Sequence, residues 1–284
     1  MKRTCILFCF VLLLVGSVQS APAQKDSVKT NWTKELIGSL NLSQASFDNW
    51  KQGGENSMAW QININGKLEH HGKQALWSNS GKFNFGKSKT GADETKTVID
   101  EIKLESVLSY VVDSPVKPYA AMSFQTQSSA GYSYSDDEKT QISGFMDPGF
   151  LREAVGLNYI LNDRFKTRIG ASLKQTFADD FALLYSDDPE TDNVEKRRDE
   201  FGAEWVTDCN WKLAQNLAYE TKLEIFSAFE GVKETDVEWD NVLNAKISKY
   251  FNCTFNFKLF YDSQISIKRQ IKQSLTMGVS YSFF

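Results

Sequence analysis

Charged side chains recur on alternate positions in the middle of several otherwise apolar segments. Lys166, Arg168 and Lys174 oppose Phe165, Ile169, Ala171, Leu173 and Phe177. Glu204 and Asp208 oppose Phe201, Trp205 and Cys209. Glu220, Lys222 and Glu224 oppose Tyr219, Leu223 and Ile225. Lys67 and Arg152 take similar polar positions on two further segments. Groups spaced this way do not make a bond-breaking constellation. Set along a wall, they pair with one another or act on passing ions. Acids and bases on consecutive segments are expected to form salt-bridge ladders between neighbouring strands. Such ladders serve either as a selectivity-setting pore wall or as a charge network that fills and stabilises a narrow interior.

Other chemistry is sparse. Proton-transfer or nucleophilic catalysis needs a positioned base, and the only imidazoles, His70 and His71, sit at a tight turn. They read as solvated turn residues, so no catalytic residue is assigned. The acidic run "SDDPETD" at Ser186–Asp192 is rich in hard oxygen ligands. It lacks EF-hand spacing and is broken by Pro189, so it reads as a solvated loop with no metal. Asn49, Trp50, Gly53, Gly54 and Asn56 form a compact loop motif in which glycine permits φ > 0. That motif is either a loop over a pore mouth anchored by Trp50 or a plain hairpin loop, and its glycines are too few for a phosphate cradle. Cys209 and Cys253 read as buried or lipid-facing thiols, with a bridge as the alternative, and follow no metal spacing. No cofactor is expected. The net charge is mildly acidic, which argues against nucleic acid as a partner.

The elements that carry these residues have a period of two nearly throughout. Twelve segments are legible, including Ser57–His70, Asp100–Val112 and Phe165–Phe177; the faces of those near Leu76–Gly86 and Lys117–Gln127 cannot be assigned. Short connections fall at His71–Gln74, Asp113–Pro115, Asn162–Arg164, Ala214–Asn216 and around Asn252. Longer ones fall at Phe47–Asn56, Lys87–Thr97, Ser128–Gly149, Asp179–Asp199, Gly231–Thr235 and Ser263–Gln270. Alternating tight turns and long loops describe an antiparallel meander. A soluble barrel would bury the apolar face, whereas a membrane barrel turns it to lipid and keeps a polar lumen. Strands of about ten to thirteen residues are long enough to cross a bilayer when tilted. The loop asymmetry, aromatics near both strand ends and mid-strand charges also favour the membrane. The expectation is an all-β chain forming a single up-and-down transmembrane β-barrel of about twelve strands.

The two ends agree with export. Lys2 and Arg3 precede an apolar run from Cys5 to Val15, of signal-peptide length. Residues 1–23 read as a signal, cleaved after Ser20 or Ala23, followed by a periplasmic lead at 24–31 and the barrel at 32–284. Thr276, Gly278, Tyr281 and Phe283 have the polar-x-Gly-x-x-aromatic-x-aromatic spacing that resembles the assembly signal of bacterial outer-membrane barrels, with Phe284 one residue beyond it. The resemblance implies Gram-negative outer-membrane localisation and recognition by the barrel-assembly machinery and periplasmic chaperones. "LNLSQASFDNWKQGGENSMAW" (Leu40–Trp60) resembles the opening of a family of uncharacterised bacterial outer-membrane proteins. The matching positions are Leu40, Asn41, Gln44, Asn49, Trp50, Gly53, Gly54, Asn56 and Ser57. That family implies the architecture and brings no substrate. The expected function is a narrow channel or binding barrel for a small hydrophilic solute, surrounded by outer-membrane lipid. A structural or surface-interaction barrel is the alternative, with an envelope enzyme behind it.

Overall fold

The computed structural model describes residues 31–47, 51–52, 54–135, 138–162, 164–187, 191–229, 235–262 and 264–284. The signal segment, most of the lead, and Asn49, Trp50 and Gly53 lie outside the described residues. The strands are β1 (Trp32–Ala45), β2 (Ser57–His71), β3 (Ala75–Thr90), β4 (Lys96–Tyr110), β5 (Val116–Thr126), β6 (Gly131–Ser135), β7 (Glu138–Ser143), β8 (Gly149–Asn162) and β9 (Phe165–Phe177). After a short helix α1 (Ala182–Tyr185) come β10 (Arg197–Ala214), β11 (Leu217–Ala228), β12 (Thr235–Lys246), β13 (Phe251–Asp262) and β14 (Ser266–Ser282).

Twelve strands close into one antiparallel barrel, each paired with its chain neighbours except that β5 pairs β8 across the inserted β6–β7 hairpin. Closure comes from β1 and β14, where Ile37 faces Ser282 and Asn41 faces Gly278. Closing the sheet pairs the backbone groups of every barrel strand on both sides and leaves no edge in lipid. Among the described residues no helix is long and apolar enough to cross a membrane; the strands do the crossing.

The two faces are inverted relative to a soluble protein. Leu40, Ile64, Leu104, Val155, Ile169, Trp205 and Leu275 are all exposed. The buried set is mostly polar, with Lys174, Glu200, Glu204, Glu224, Asp236 and Asp262 among it. Such an arrangement is stable only where lipid covers the outside and the interior is wet or ion-paired. Outward-facing indoles at both ends find hydroxyl partners. Trp77 Nε1 donates to Ser106 at 2.9 Å, Trp205 Nε1 to Thr167 at 2.9 Å and Trp239 Nε1 to Thr221 at 2.8 Å. Trp211 stacks on Tyr219 with centroids 5.8 Å apart near the tight turns. These amphipathic rings suit the two interfaces of a bilayer.

Several boundaries differ from the periodicity reading. The tight turn expected around Asn252 lies at 247–250, where Ile247 and Ser248 both donate to the Phe251 carbonyl, and Asn252 is a buried lumen residue on β13. The connections at 87–97 and 263–270 shrink because β3 and β4 run on past a bulge at Gly86/Lys87 and β14 begins at Ser266. The 128–149 connection holds the β6–β7 hairpin. That hairpin is pinned to the neighbouring loop by Lys139–Glu94 at 2.7 Å, with Lys139 over the Tyr132 ring and Lys96 over Tyr134. The Lys139 hydrogen bond holds the exposed Glu94 carboxyl below its ordinary range. The faces of β3 and β5 now follow from register. Phe83 and Phe85 lie beside Ile64 and Ile62 on the outside, and Met122 lies beside Ser106. Gly81 and Asn79 break the apolar face of β3, and Ala120 opposes the buried Tyr119 on β5, so neither strand alternates cleanly.

Candidate functional site

The lumen is crossed at mid-height by one continuous chain of opposite charges. Asp240 meets Lys82 at 3.1 Å, and Lys82 meets Glu101 at 3.5 Å. Glu101 meets Lys258 at 3.1 Å, which meets Glu238 at 2.9 Å. Lys103 bridges Glu238 at 3.1 Å and Glu224 at 3.0 Å. Lys222 bridges Glu224 at 2.8 Å and Glu105 at 2.7 Å. Arg168 bridges Glu105 at 2.6 Å and Glu204 at 3.2 Å, and Arg152 lies 3.8 Å from Glu224. Cations and carboxylates balance along the chain. Neutral donors complete it: Tyr119 Oη to Glu204 at 2.9 Å, Asn84 to Glu101 at 3.0 Å and Asn256 to Asp240 at 2.6 Å.

The source of this chain is strand β4. Its inner face reads Glu101, Lys103, Glu105, and these three side chains reach β9, β11, β12 and β13. In the ring of twelve strands β12 lies diametrically opposite β4, so Lys103–Glu238 spans the full width of the lumen. Long side chains from facing walls therefore meet across the lumen.

A second cluster lies nearer the long loops. Lys174 contacts Asp236 at 2.5 Å, Asp262 at 3.1 Å and Glu200 at 3.3 Å, and Arg198 approaches Glu200 at 3.4 Å. A cavity of about 80 Å³, lined by Lys103, Arg152 and Glu238 on one side and Lys174, Asp236 and Asp262 on the other, separates the two. It has room for a few waters. A smaller group sits toward the tight turns, with Lys67 at 3.0 Å and Lys166 at 3.7 Å from Glu69.

The ladder expected between neighbouring strands is therefore mostly replaced by transluminal pairs. Arg168–Glu204 and Lys174–Glu200 do join β9 to β10. Asp208, however, lies directly across from Lys166 in the β9–β10 register, yet Lys166 turns to Glu69 and Lys222 to Glu105 and Glu224. Glu101, Lys103, Glu105, Glu238, Asp240 and Lys258 were legible on polar faces but not singled out. Lys82 was not, because its strand does not alternate.

The remaining motif residues are structural in placement. Asn56 Oδ1 accepts the Phe47 N–H at 2.6 Å, and Gly54 adopts φ 138° where an added Cβ would stand 2.8 Å from the Phe47 ring. On β14, Gly278 lies against the closing strand, where a Cβ would stand 2.3 Å from the Leu40 carbonyl oxygen. Tyr281 and Phe283 form an edge-on pair at 5.0 Å, both exposed, as is Phe284. Thr276 Oγ1 is 3.4 Å from the Thr254 carbonyl. Cys209 and Cys253 are free thiols on separate strands.

Two family models match the chain, each described as a protein of unknown function, over residues 42–132 and 162–283. No curated protein sequence matches. Among solved structures, the translocator domain of the autotransporter NalP from Neisseria meningitidis is 9% identical, with 97% of this chain and 94% of that one covered and a TM-score of 0.40. An outer membrane channel from Pseudomonas putida F1 is 9% identical, with 93% and 99% covered and a TM-score of 0.40. The NanC porin is 8% identical, with 87% and 98% covered and a TM-score of 0.40. One family of unknown function thus matches β2–β5 and another β9–β14, on a single inside-out barrel of twelve strands.

Proposed function

We propose that the protein is exported by its signal peptide, assembled in the outer membrane of a Gram-negative cell, and acts there as a narrow, charge-gated passage for small hydrophilic solutes. It needs no cofactor and does no covalent chemistry. The observation that carries this reading is the alternating charge chain across the lumen. Lys82, Lys103, Lys222 and Lys258 each lie between two carboxylates on different strands. An ammonium between two such partners can give up one contact and keep the other. A small ion or polar solute can then take the vacated contact, which is the condition for passage through a constriction that binds weakly and at several sites.

The bridging of opposite walls also supports a second reading, a permanently closed structural barrel whose charges fill the interior. Conductance of the purified protein in planar bilayers separates the two. Discrete current through wild type, changed by substitutions in the charge chain, supports the passage; no current through any variant leaves the structural barrel. Membrane fractionation with heat-modifiable gel migration tests localisation independently, and recovery as a soluble periplasmic protein would overturn both readings.

A further inference from the structure

One sector of the lumen wall is free of charge. β1 from Leu36 to Ala45, β2 from Ser57 to Gly66 and β14 from Ser274 to Phe284 carry no charged side chain on either face. These three strands adjoin in the ring, between β3 and β13. Register carries the inward face around them. Lys82 lies across from Asn65 on β2, and Lys258 lies across from Lys272 on β14. Asn63, Ser39, Ser280 and Thr276 therefore all face the lumen. Gln61 Nε2 donates to Asn63 Oδ1 at 2.5 Å, and Asn63 Nδ2 donates to Ser39 Oγ at 3.1 Å. Each amide keeps a second N–H and Ser39 keeps its O–H.

This sector is also the more open to water. Ser39, Asn63, Ser274, Thr276 and Ser280 are half-buried. Residues of the same size on the inward face of β9 are not: Ser172 is 1% and Thr176 0% exposed. Asn41 is the exception on the neutral side, because its side chain lies against Gly278. Ala154, Val206 and Phe226 are buried with Ser172 and Thr176 on the other side. The charge chain has the same gradient. The Lys82 side chain, on the strand next to β2, is 33% exposed, and Glu204 at the far end is 2% exposed. The chain thus divides the lumen into a packed half against β8–β11 and a half against β14, β1 and β2 that water enters.

We propose that solute passes along β14, β1 and β2, beside the charge chain, and that it is a small uncharged polyhydroxylated molecule. A hydroxyl both donates and accepts, so such a solute exchanges water for the amides and hydroxyls of this wall bond for bond. It can also bridge Lys82 and Asp240, on the other bank of the route, without adding charge. A charged solute loses hydration beside a wall that offers no opposite charge, and the charges facing that wall are already paired with one another. The proposal rests on the passage reading and gives it a route and a solute class.

The test uses the full-length mature protein with Cys209→Ser and Cys253→Ser, reconstituted in liposomes and checked for heat-modifiable migration. Osmotic swelling is followed in erythritol and in sodium threonate, the acid of similar size. Swelling should be several-fold faster in erythritol. A hydrophilic methanethiosulfonate reagent should cut erythritol swelling several-fold in Ser39→Cys and in Thr276→Cys, and should leave Ser172→Cys unchanged. Swelling that survives treatment of Ser39→Cys and Thr276→Cys, or that is lost equally on treatment of Ser172→Cys, overturns the route and leaves the passage reading intact. Entry of threonate as fast as erythritol overturns the solute class. An inserted protein that passes neither solute nor ions strikes the passage reading itself, and this route with it.

Discussion

Replacing Lys103 with Met removes the ammonium that joins Glu224 on β11 to Glu238 on β12 from the opposite wall. The side chain is 16% exposed and its partners are 11% and 15% exposed, so the effective dielectric constant is well below that of water. At the observed 3.0 Å one such pair has a gross Coulomb energy of about 5.5 kcal/mol at an effective dielectric of ~20, and about 1.4 kcal/mol in bulk water. Desolvation offsets much of this, and an acid left unpaired costs up to about 3–5 kcal/mol. Here neither acid is left alone. Glu224 keeps Lys222 at 2.8 Å and Glu238 keeps Lys258 at 2.9 Å. The net loss should therefore be about 1–3 kcal/mol, visible as a lower urea midpoint for loss of the heat-modifiable form. The electrical effect should be larger than the structural one. The side chain that spans the lumen becomes a shorter neutral one, and a balanced constriction gains one uncompensated negative charge. Single-channel conductance should rise several-fold, and the reversal potential in a KCl gradient should move toward the potassium potential. Adding Glu238→Gln to Lys103→Met should cancel most of the selectivity change while keeping the higher conductance. A wild type that conducts while Lys103→Met leaves both current and reversal potential unchanged would refute the placement of the constriction at this layer.

Three further outcomes follow from the same geometry. Leu173→Glu should hinder insertion more than Arg168→Glu in refolding assays. A charge on the lipid face costs up to about 2–4 kcal/mol for basic residues and less for acidic ones, and here the new acid would also stand across from Glu153; Arg168→Glu should instead shift selectivity toward cations, and the reverse ranking means the faces are misassigned. The double substitution Tyr281→Ala, Phe283→Ala should slow assembly in cells several-fold with little change in the stability of the folded barrel, because an assembly signal acts before insertion; normal assembly rates remove that role. The β6–β7 hairpin should be held by Glu94 at neutral pH. Because the Glu94 carboxyl is depressed in the folded state, its contribution is present above the ordinary carboxylate range and is lost as the pH falls through the folded value, so proteolysis of the β6–β7 hairpin should accelerate only in acid; constant cleavage from neutral pH to acid means the pair holds nothing.

How much of this was legible in the chain depends on the range of the interaction that decides each feature. Period-two alternation is local, so strands such as Phe165–Phe177 are readable to the residue. Local alternation fails where a face is broken. Gly81 and Asn79 on β3 and the small residues of β5 carry no clear sign, and their orientation is set by pairing with β2, β4 and β8. The β6–β7 hairpin is short and polar, with its tyrosines held by lysines of β7 and β4, so no hydrophobic pattern announces it.

Which charge meets which is a different kind of question. Alternation says that Lys82 or Glu238 faces inward once its strand is known, but the partner is chosen by closure, tilt and the width of the ring. Lys82 and Asp240 are 158 residues apart, and Lys258 and Glu101 are 157 apart. A neighbour-strand ladder is the natural inference from sequence order, and it holds at Arg168–Glu204. It fails at Asp208 because a twelve-stranded ring is narrow enough for an extended lysine or arginine to reach the far wall. The number of strands fixes the diameter, and the diameter decides whether lumen charges pair along the wall or across the void. The same β4 sequence, Glu101–Lys103–Glu105, in a wider barrel would pair only along its own wall; at this circumference it reaches the facing one.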